Sequence, residues 1–594
     1  MLAIELRMGQ KKLTSSKTQH VKRESWVSKL FSLLFAARED LHIHSKKLQH
    51  YRNKITYNLP LEGLSPLAEM HLNEVCQGIH DWMHEMEQHT LFREVMAKSV
   101  RDGSMMIRLT VQRNINAGER DDDWNNLKDQ FVKHLTKIFP AIVCICYNET
   151  FNQARPTKDV PIIMLFGESM HVLEHTHTGL PYQISPDAFC EINHEVEDLQ
   201  SVQTIEWIKE FEGSILVCSG RDINSYGLGF GTIQDRVGDK FFSEVVAVQH
   251  CPLVAKDAEA NYARHADKVN ATVLHLGNFE MANGVKKALN AALERQNHPP
   301  VVVVTTGGRK GLNPLYVDLL KDHPAVKCII YNSCSTKSLV RDVEDFLAGP
   351  HGYYIENFRS YDFFAGTGYT ASVLKLLRRP KTLVLPIGPA GVGKSTLASQ
   401  LTERSSPDTV CWWQRDFQFA TMRGNNISMT KSKMMLHNEL LSFLNGHCQS
   451  VRIVDSTNGN AGARELYIQE NQPDLVVLAV LQPTGKDEVD LVDKLLERTR
   501  GRLEDGSAKH PSFPKTVDAQ RIKHQSILKG IEYPSSAELE RLRRKVTRLV
   551  EMNCDPCDAS QMMNVPFRVF LEYSVGDDLR EVLRKNNDMI QIIG

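Results

Sequence analysis

One eight-residue stretch constrains this chain more than any other. Residues 388–395 read G-P-A-G-V-G-K-S, which fits the pattern G-x-x-x-x-G-K-S. The stretch follows an apolar run at 382–387 that predicts a buried strand, and it precedes a run at 396–401 that predicts a helix. Such a loop curls its backbone N–H groups inward and presents the helix N-terminus to an anion. The sequence therefore predicts a phosphate-binding loop (P-loop) in an α/β fold; a chance glycine-rich turn is the alternative.

The residues of this loop divide into phosphate contacts and a metal ligand. The predicted nucleotide-binding residues are Gly388, Gly391, Gly393, Lys394, Ser395 and Thr396. Lys394 would reach the β- and γ-phosphates, and the Ser395 hydroxyl would bind Mg²⁺. The cofactors predicted from the loop are ATP or GTP with Mg²⁺.

Length and composition set the number of domains and the class of protein. A chain of 594 residues exceeds what one core can serve, so three or four domains are expected. The formal net charge of −1 means that any contact with nucleic acid must come from local patches. Twelve cysteines without a paired framework favour a reduced, intracellular protein, and no apolar run is long enough for a membrane span. The basic N-terminal stretch leaves cytoplasm and mitochondrion both open.

Apolar runs alternate with helical stretches through most of the chain. Strands are expected at 105–111, 160–165, 213–218, 245–248, 301–304 and 327–331. Strands spaced by helices predict a parallel, doubly wound sheet. A joint is expected at 378–380, and a second α/β series starts at Thr382.

Five segments in a fixed order run through residues 51–379. They are Y-R-N-K at 51–54, I-S-P-D-A-F-C-E-I-N at 184–193, R-K-G-L at 309–312, Y-N-S-C with L-V-R-D at 331–342, and D-F-F with a threonine at 362–367. In this order they resemble the RNA uracil-C5 methyltransferases, the m5U family of tRNA and rRNA. The resemblance implies a Rossmann-like methyltransferase-type fold and an RNA partner of the tRNA or rRNA class. It also places Cys334 where the family has its nucleophile.

Several positions depart from that family. Gln249 stands where an acid would bind the ribose of S-adenosylmethionine, and Asp222 and Asn224 stand where a glycine-rich turn is expected. The family's base, a glutamate, falls on Ala371. These departures predict that methyl transfer is lost, that no S-adenosylmethionine binds, and that Cys334 is a vestigial nucleophile in a module that holds RNA. A surviving uracil-5-methyltransferase that uses Cys334 is the alternative.

Acids and arginines beyond the loop suggest further roles. Asp416 follows an apolar strand and could take a proton from an acceptor hydroxyl, with a helix cap as the alternative. Arg423 and Asp455 could bind the acceptor, with an Asx turn as the alternative for Asp455. Arg498 and Arg502 share a helix face and could form a lid over phosphates, with a solvated face as the alternative.

Together the loop, these acids and these arginines resemble the polynucleotide-kinase-like P-loop phosphotransferases, which include the kinase modules of tRNA-splicing ligases. The resemblance implies that Lys394, Asp416, Arg498 and Arg502 are catalytic. The predicted function is RNA-directed transfer of the γ-phosphate of ATP or GTP to a hydroxyl, at an RNA end. A nucleotide-binding scaffold for RNA and ribonucleoprotein (RNP) partners is the alternative from another class.

The predicted domain order follows from both resemblances. A basic tail and helix occupy 1–50, and an α/β RNA-binding-like domain occupies 51–180. A degenerate S-adenosylmethionine-methyltransferase-like domain occupies 181–379. A P-loop NTPase/kinase-type α/β domain occupies 380–594.

Overall fold

The computed structural model describes residues 25–88, 90–113, 121–151, 161–169, 171–220, 227–234, 238–276, 280–295, 297–348, 352–367, 369–405, 409–425, 427–445, 451–504, 516–542, 546–554 and 559–585. The basic stretch at 1–24 and the turn that carries Asp222 and Asn224 lie outside these residues. None of the helices in the described ranges has both the length and the apolar composition that crossing a lipid bilayer requires.

The first described elements pack on the body of the protein. They are α1 (Trp26–Ala36), α2 (Arg38–Leu41) and the short strand β1 (His42–Ile43). Ser25 caps α1, because its side chain accepts a hydrogen bond from the Ser28 N–H. The apolar face of α1 is buried. The strand β1 pairs with a strand more than 300 residues later, so this segment also contributes an edge strand to a distant sheet.

A five-stranded sheet comes next, in the order β2-β3-β4-β5-β6. Its elements are β2 (Lys54–Asn58), α3 (Met70–Glu85), β3 (Phe92–Ser99), β4 (Met105–Arg113), α4 (Asp121–Ile138), β5 (Ile142–Phe151) and β6 (Ile163–Phe166). Both helices and the sheet share one apolar core around Trp82, Phe92 and Trp124. A separate hairpin, β7 (Val172–His175) and β8 (Pro181–Ile184), leads to the next sheet.

The largest sheet has eight strands in the order β1-β14-β15-β13-β12-β9-β10-β11. Its elements are α5 (His194–Ile208), β9 (Ile215–Ser219), α6 (Leu228–Gly231), β10 (Glu244–Gln249), α7 (Pro252–Arg264), β11 (Ala271–His275), α8 (Met281–Glu294), β12 (Val301–Gly307), α9 (Pro314–Asp322), β13 (Val326–Ser333), α10 (Thr336–Leu347), β14 (Tyr353–Tyr361) and β15 (Ala371–Arg378). Only β15 runs against its neighbours. The uninterrupted valines of β12 are buried on both faces, as expected for an interior parallel strand.

The C-terminal sheet is fully parallel, in the order β17-β18-β16-β19-β20. Its elements are β16 (Thr382–Ile387), α11 (Lys394–Arg404), β17 (Val410–Gln414), α12 (Arg415–Gly424), α13 (Met429–Asn445), β18 (Val451–Asp455), α14 (Ala461–Asn471), β19 (Leu475–Pro483), α15 (Glu488–Glu504), α16 (Val517–Lys529), α17 (Ser536–Leu542), β20 (Val546–Cys554), α18 (Ala559–Ser574) and α19 (Asp577–Lys585). The strand order reverses beside β16, which is where ligands bind in such sheets.

The two large sheets share apolar packing. The rings of Trp26 and Phe570 lie edge to face with centroids 5.0 Å apart. The Arg379 guanidinium lies over the Tyr573 ring at 5.6 Å, and burial lowers the pKa of Arg379 to about 10. One continuous core includes buried side chains of α1, of the eight-stranded sheet and of α18 and α19. The joint expected at 378–380 is therefore a packed crossing between two sheets.

Candidate functional site

Cys334 lies directly after β13, where this strand leads into α10. The residue is half-buried, and Ser335 behind it caps the helix by accepting a hydrogen bond from the Ser338 N–H. The neighbouring strand β12 ends at the same level, because Gly307 pairs with Ser333. Cys334 therefore stands at the carboxyl edge of the parallel strands, the edge at which open α/β sheets bind ligands.

The strand on the other side of β13 carries the position of the family's base. Ser333 pairs with Ser372 in the antiparallel ladder between β13 and β15. This pair is the last of the ladder, with Cys334 following Ser333 and Ala371 preceding Ser372, and Ala371 pairs on its other side with Tyr361. The structure thus brings the predicted nucleophile and the predicted base position together, but a methyl side chain accepts no proton.

Hydrogen bonds join the first matched segment to two others. The Tyr51 hydroxyl donates to the Ala365 carbonyl at 2.9 Å and so links segment 51–54 to segment 362–367. The Asn53 amide donates to the Glu191 carbonyl at 2.9 Å and links the first segment to 184–193. Segments that lie far apart in the chain therefore meet in the fold, which local sequence patterns do not require.

The segments at 309–312 and 331–342 also contact each other. The Arg341 guanidinium donates to the Lys310 carbonyl at 3.0 Å, and the Asp342 carboxylate accepts from the Leu312 N–H at 2.8 Å. The Gln200 amide, on α5, donates to the Asn332 side chain at 2.9 Å, two residues before Cys334. Segment 309–312 and the helix α5 thus contact the segment that carries Cys334.

The ends of the strands β9 and β12 carry small and polar residues that pack closely together. Gly220 follows β9 with a φ of +116°, and a Cβ there would lie 3.1 Å from backbone atoms of Thr306 at the end of β12. The Ser219 hydroxyl hydrogen-bonds to Tyr316 at 2.5 Å and donates to Thr305 at 3.1 Å. Only glycine fits this close approach, so the edge keeps its shape without a side chain.

Gln249, at the end of β10, is almost fully buried and bonded to the backbone. Its amide donates to the Gly220 carbonyl at 2.7 Å, and its carbonyl accepts from the N–H groups of His250 and Cys251 at 2.8 and 3.1 Å. A neutral amide thus bonds to the backbone at the position where the resemblance leads one to expect an acid. The glycine, the hydroxyls and this amide are all uncharged, and residues 221–226 lie outside the described residues.

The predicted P-loop has the expected strand–loop–helix geometry. β16 ends at Ile387 and α11 begins at Lys394. Gly388, Gly391 and Gly393 have φ angles of +155°, +90° and +108°, the last two in the left-handed region that favours glycine. The Lys394 ammonium is buried and donates to the Pro389 carbonyl at 2.7 Å, so it folds back over its own loop.

Asp455 and Asp416 stand at the same edge as the loop. Asp455 ends β18 next to β16, and Gln414 of β17 pairs with it, so Asp416 follows at the start of α12. Burial raises the pKa of the Asp455 carboxyl, while the Lys394 charge and a hydrogen bond from Ser395 act in the opposite direction. The structure therefore brings together the loop and both predicted acids.

The structure describes the side chain of only one of the three predicted arginines. Arg498 is half-buried on α15, and this helix packs on the loop, because a Cβ on Gly391 would lie 3.0 Å from the Leu495 carbonyl. The side chains of Arg423 and Arg502 lie outside the described residues, although both positions are helical. Their roles, and those of Asp416 and Arg498, stay predictions.

Two features of the edges were missed in the sequence. Asn458 has a φ of +46°, and its amide donates to the carbonyls of Pro386 and Val454 at 2.8 and 2.7 Å, which ties β16 to β18 behind the loop. The D-S-T-N run held the signal, because asparagine is the residue that most readily adopts this conformation after glycine. The second feature is a group formed by His42, His44 and Asp362.

Part of the chain is similar to known RNA methyltransferases. A Bacillus cereus protein named as an uncharacterized RNA methyltransferase is 24% identical over 253 residues, 42% of this chain and 50% of that protein. The 23S rRNA (uracil(747)-C(5))-methyltransferase RlmC of Halothiobacillus neapolitanus is 23% identical over 321 residues, 53% of this chain and 75% of that protein. The chain thus spans about half the length of the first of these relatives. No protein-family model matches the chain.

A solved structure of similar kind is the Pyrococcus abyssi tRNA (uracil-54, C5)-methyltransferase in complex with S-adenosyl-L-homocysteine. Its TM-score is 0.39 at 15% identity, with 62% of this chain and 88% of that chain covered. A score this low supports no argument about the site.

These relatives correct the predicted function. The interpretation of the chain's function as phosphoryl transfer from ATP or GTP is wrong, because the proteins that it matches are named as RNA methyltransferases. The prediction of a module that has lost methyl transfer and takes no S-adenosylmethionine is contradicted by the same matches. The chain contains an RNA uracil-C5 methyltransferase-like module with a Rossmann-like methyltransferase fold.

Proposed function

We propose that this protein methylates C5 of a uridine in RNA of the tRNA or rRNA class, with Cys334 as the nucleophile. The observation that carries the proposal is the set of hydrogen bonds that joins distant matched segments, 51–54 with 184–193 and 362–367, and 309–312 with 331–342, the segment in which Cys334 stands half-buried after β13. The named relatives support the same reaction class. The five-stranded sheet at 54–166 is the part that we assign to holding RNA.

The chemistry begins with the Cys334 sulfur. Its thiolate adds to C6 of the uracil ring and turns C5 into a carbon nucleophile. S-adenosylmethionine, when bound, supplies the methyl group as an electrophile. The proton on C5 must then be removed. The electron pair of the broken C5–H bond forms the C5–C6 double bond, and the bond from C6 to sulfur breaks. Ala371 offers no acceptor for this proton, so we assign the acceptor role to water.

Residues at the adjoining strand ends would hold the cofactor. Gly220 lets the end of β9 approach the Thr306 backbone closely, and the Gln249 amide donates a hydrogen bond to the Gly220 carbonyl. The Ser219 and Thr305 hydroxyls lie at the same edge. These groups are neutral, so we expect the ribose to be bound by hydrogen bonds from amide and hydroxyl groups in place of a carboxylate.

The test is transfer of a labelled methyl group from S-adenosylmethionine to transcribed tRNA and rRNA fragments, with mass analysis for 5-methyluridine. Wild type should form 5-methyluridine, and Cys334→Ala should form none. A second readout is RNA covalently attached to the protein on a denaturing gel, which requires Cys334. Formation of a different methylated nucleoside, or equal activity in Cys334→Ala, would overturn the proposal.

We also propose that residues 380–594 form a P-loop domain that binds a nucleoside triphosphate, without phosphoryl transfer as its role. The supporting observation is the loop geometry with Lys394, Ser395 and Asp455 at one sheet edge. Ser395 as a Mg²⁺ ligand stays a prediction. A fluorescent nucleoside triphosphate should bind wild type and bind Lys394→Ala weakly; equal binding would contradict this proposal.

Three further predictions from the sequence are carried forward as proposals. RNP partners, the intracellular location and the assignment of the domains to RNA binding and cofactor binding are proposals. Capture of an RNP component with the purified full chain from cell extract, followed by reconstitution from pure parts, would test the first. Fractionation of cells with a tagged full-length protein would test the second.

A further inference from the structure

Two histidines and an aspartate meet at the edge of the eight-stranded sheet. His42 pairs with Ser360 and Ile43 with Tyr361 in the parallel ladder of β1 and β14. The ladder continues one step, because the Asp362 N–H donates to the Ile43 carbonyl at 2.9 Å. Side chains two residues apart on a strand share a face, so His42 and His44 project on one side with Asp362 beside them.

The donor atoms are close enough for one ion. One ring nitrogen of each histidine and one carboxylate oxygen of Asp362 all lie within 4.8 Å of one another. The two imidazole rings are 4.3 Å apart between centroids and meet edge to face at 77°. Three atoms so placed lie within about 2.8 Å of a common point (4.8 Å divided by √3), and zinc takes such donors at about 2.0–2.2 Å. Small side-chain rotations would close that difference.

One ligand is already oriented by a neighbour. The His42 Nδ1 lies 2.7 Å from the Ser360 hydroxyl. Histidines that bind metals are held in this way through the ring nitrogen that does not touch the ion, which fixes the tautomer. A metal bound through Nε2 of His42 would leave this contact of Nδ1 in place.

The three side chains are exposed enough for a metal ion between them to keep a water ligand. His44 is exposed, while His42 and Asp362 are half-buried, so solvent reaches the point between them. Two imidazoles and one carboxylate with a water-filled fourth position form a ligand set that zinc occupies in proteins. Imidazole nitrogen also favours transition metals over Mg²⁺ and Ca²⁺.

We propose that His42, His44 and Asp362 bind a divalent transition-metal ion, with Zn²⁺ as the favoured ion and water completing its shell. The ion would tie β1, a strand of two residues, to β14 and so fix the α1–α2 segment against the sheet. The proposal concerns a site apart from Cys334 and the P-loop, and it does not rest on the proposed methyl transfer.

The test compares zinc binding by full-length variants. The cysteines give a background that is the same in all proteins, so His44→Asn and His42→Asn are measured against wild type and against His437→Asn, which removes an exposed histidine on α13. Each protein is freed of metal with a chelator, and Zn²⁺ is titrated by calorimetry in parallel with thermal unfolding. His44 is exposed, so its replacement should leave the metal-free melting temperature unchanged.

The expected result is one Zn²⁺ equivalent that is present in wild type and in His437→Asn, and at least tenfold weaker in both site variants. Zn²⁺ should raise the melting temperatures of wild type and His437→Asn by more than those of His42→Asn and His44→Asn. Equal stoichiometry, affinity and melting shift in all four proteins would overturn the site. The methylation assay plays no part, so failure here leaves the proposed reaction untouched.

Discussion

Ala371 and Cys334 both adjoin the Ser333–Ser372 pair that ends the ladder between β13 and β15, so the position that the resemblance gives to the base carries a methyl group. The two residues are 37 positions apart in the chain, and the register of β13 and β15 brings them together. Addition of the thiolate to the uracil ring needs only Cys334, whereas release of the methylated RNA needs a proton acceptor. Release is therefore the step that we expect to be slow.

We expect Ala371→Glu to accelerate release of methylated RNA. A positioned carboxylate base contributes about 10²–10⁴ in rate, and a partial gain of about tenfold would already register. The measurement is single-turnover decay of the covalent RNA–protein band, with Ala371→Gln as a control of the same size that accepts no proton. Equal decay rates in the Glu and Gln variants would mean that another group takes the proton.

Gln249→Ala should weaken cofactor binding and lower stability. The substitution leaves one buried carbonyl and two backbone N–H groups without these partners, and each unsatisfied group costs about 1–3 kcal/mol. Thermal unfolding and calorimetry with S-adenosylmethionine measure the two effects. Gln112→Ala, at a half-buried glutamine on β4, serves as the control. A melting temperature equal to that of the control would show that the amide does not hold this edge.

Lys394→Ala should weaken binding of a nucleoside triphosphate by about 10–150-fold, the loss of one charge-assisted hydrogen bond worth about 1.5–3 kcal/mol. The readout is fluorescence anisotropy of a labelled nucleotide. Lys433→Ala removes an exposed lysine on α13 and should bind like wild type. If both variants bind alike, the loop is a glycine-rich turn without a ligand.

Acid should destabilise the hairpin region through His177. Burial lowers the pKa of this imidazole to about 4 from its usual 6.5, and its two ring nitrogens have no hydrogen-bond partner among the described residues. Because the unfolded chain takes up the proton first, the stability contributed by the neutral ring is complete above about 6.5 and is lost as pH falls towards 4.

The measurement is melting temperature against pH for wild type and His177→Phe. Burial also raises the pKa of the nearby Glu174 carboxyl, and that group acts with the opposite sign, so the difference between the two proteins isolates His177. The wild-type curve should fall more steeply between pH 6.5 and 4. Parallel curves would show that His177 titrates as it does in the unfolded chain.

Features that depend on neighbouring residues in the chain could be predicted from the sequence alone. The P-loop pattern fixed its own strand, turn and helix, because glycine conformations and a helix start depend on neighbouring residues. The valine run of β12 predicted a buried parallel strand for the same reason, since both of its faces must be apolar. The five segments gave the m5U-like resemblance and placed Cys334.

Which function these parts serve together did not follow from the patterns. The interpretation as a phosphotransferase was wrong because a phosphate-binding loop reports a local backbone shape, whereas the reaction depends on what the whole chain assembles around a substrate. The departures at Gln249 and Ala371 were read as loss of chemistry, and the RNA methyltransferase relatives contradict that reading.

Tertiary structure alone decided the long-range pairings. The pairing of Ser333 with Ser372, which brings Cys334 and Ala371 to one end of the ladder, depends on strand register, and the bond from Tyr51 to Ala365 joins residues 314 positions apart. His42, His44 and Asp362 meet only because a two-residue strand adds to β14. Chain sequence sets which side chains a strand carries, but the hydrogen-bond ladder between distant strands sets which side chains become neighbours.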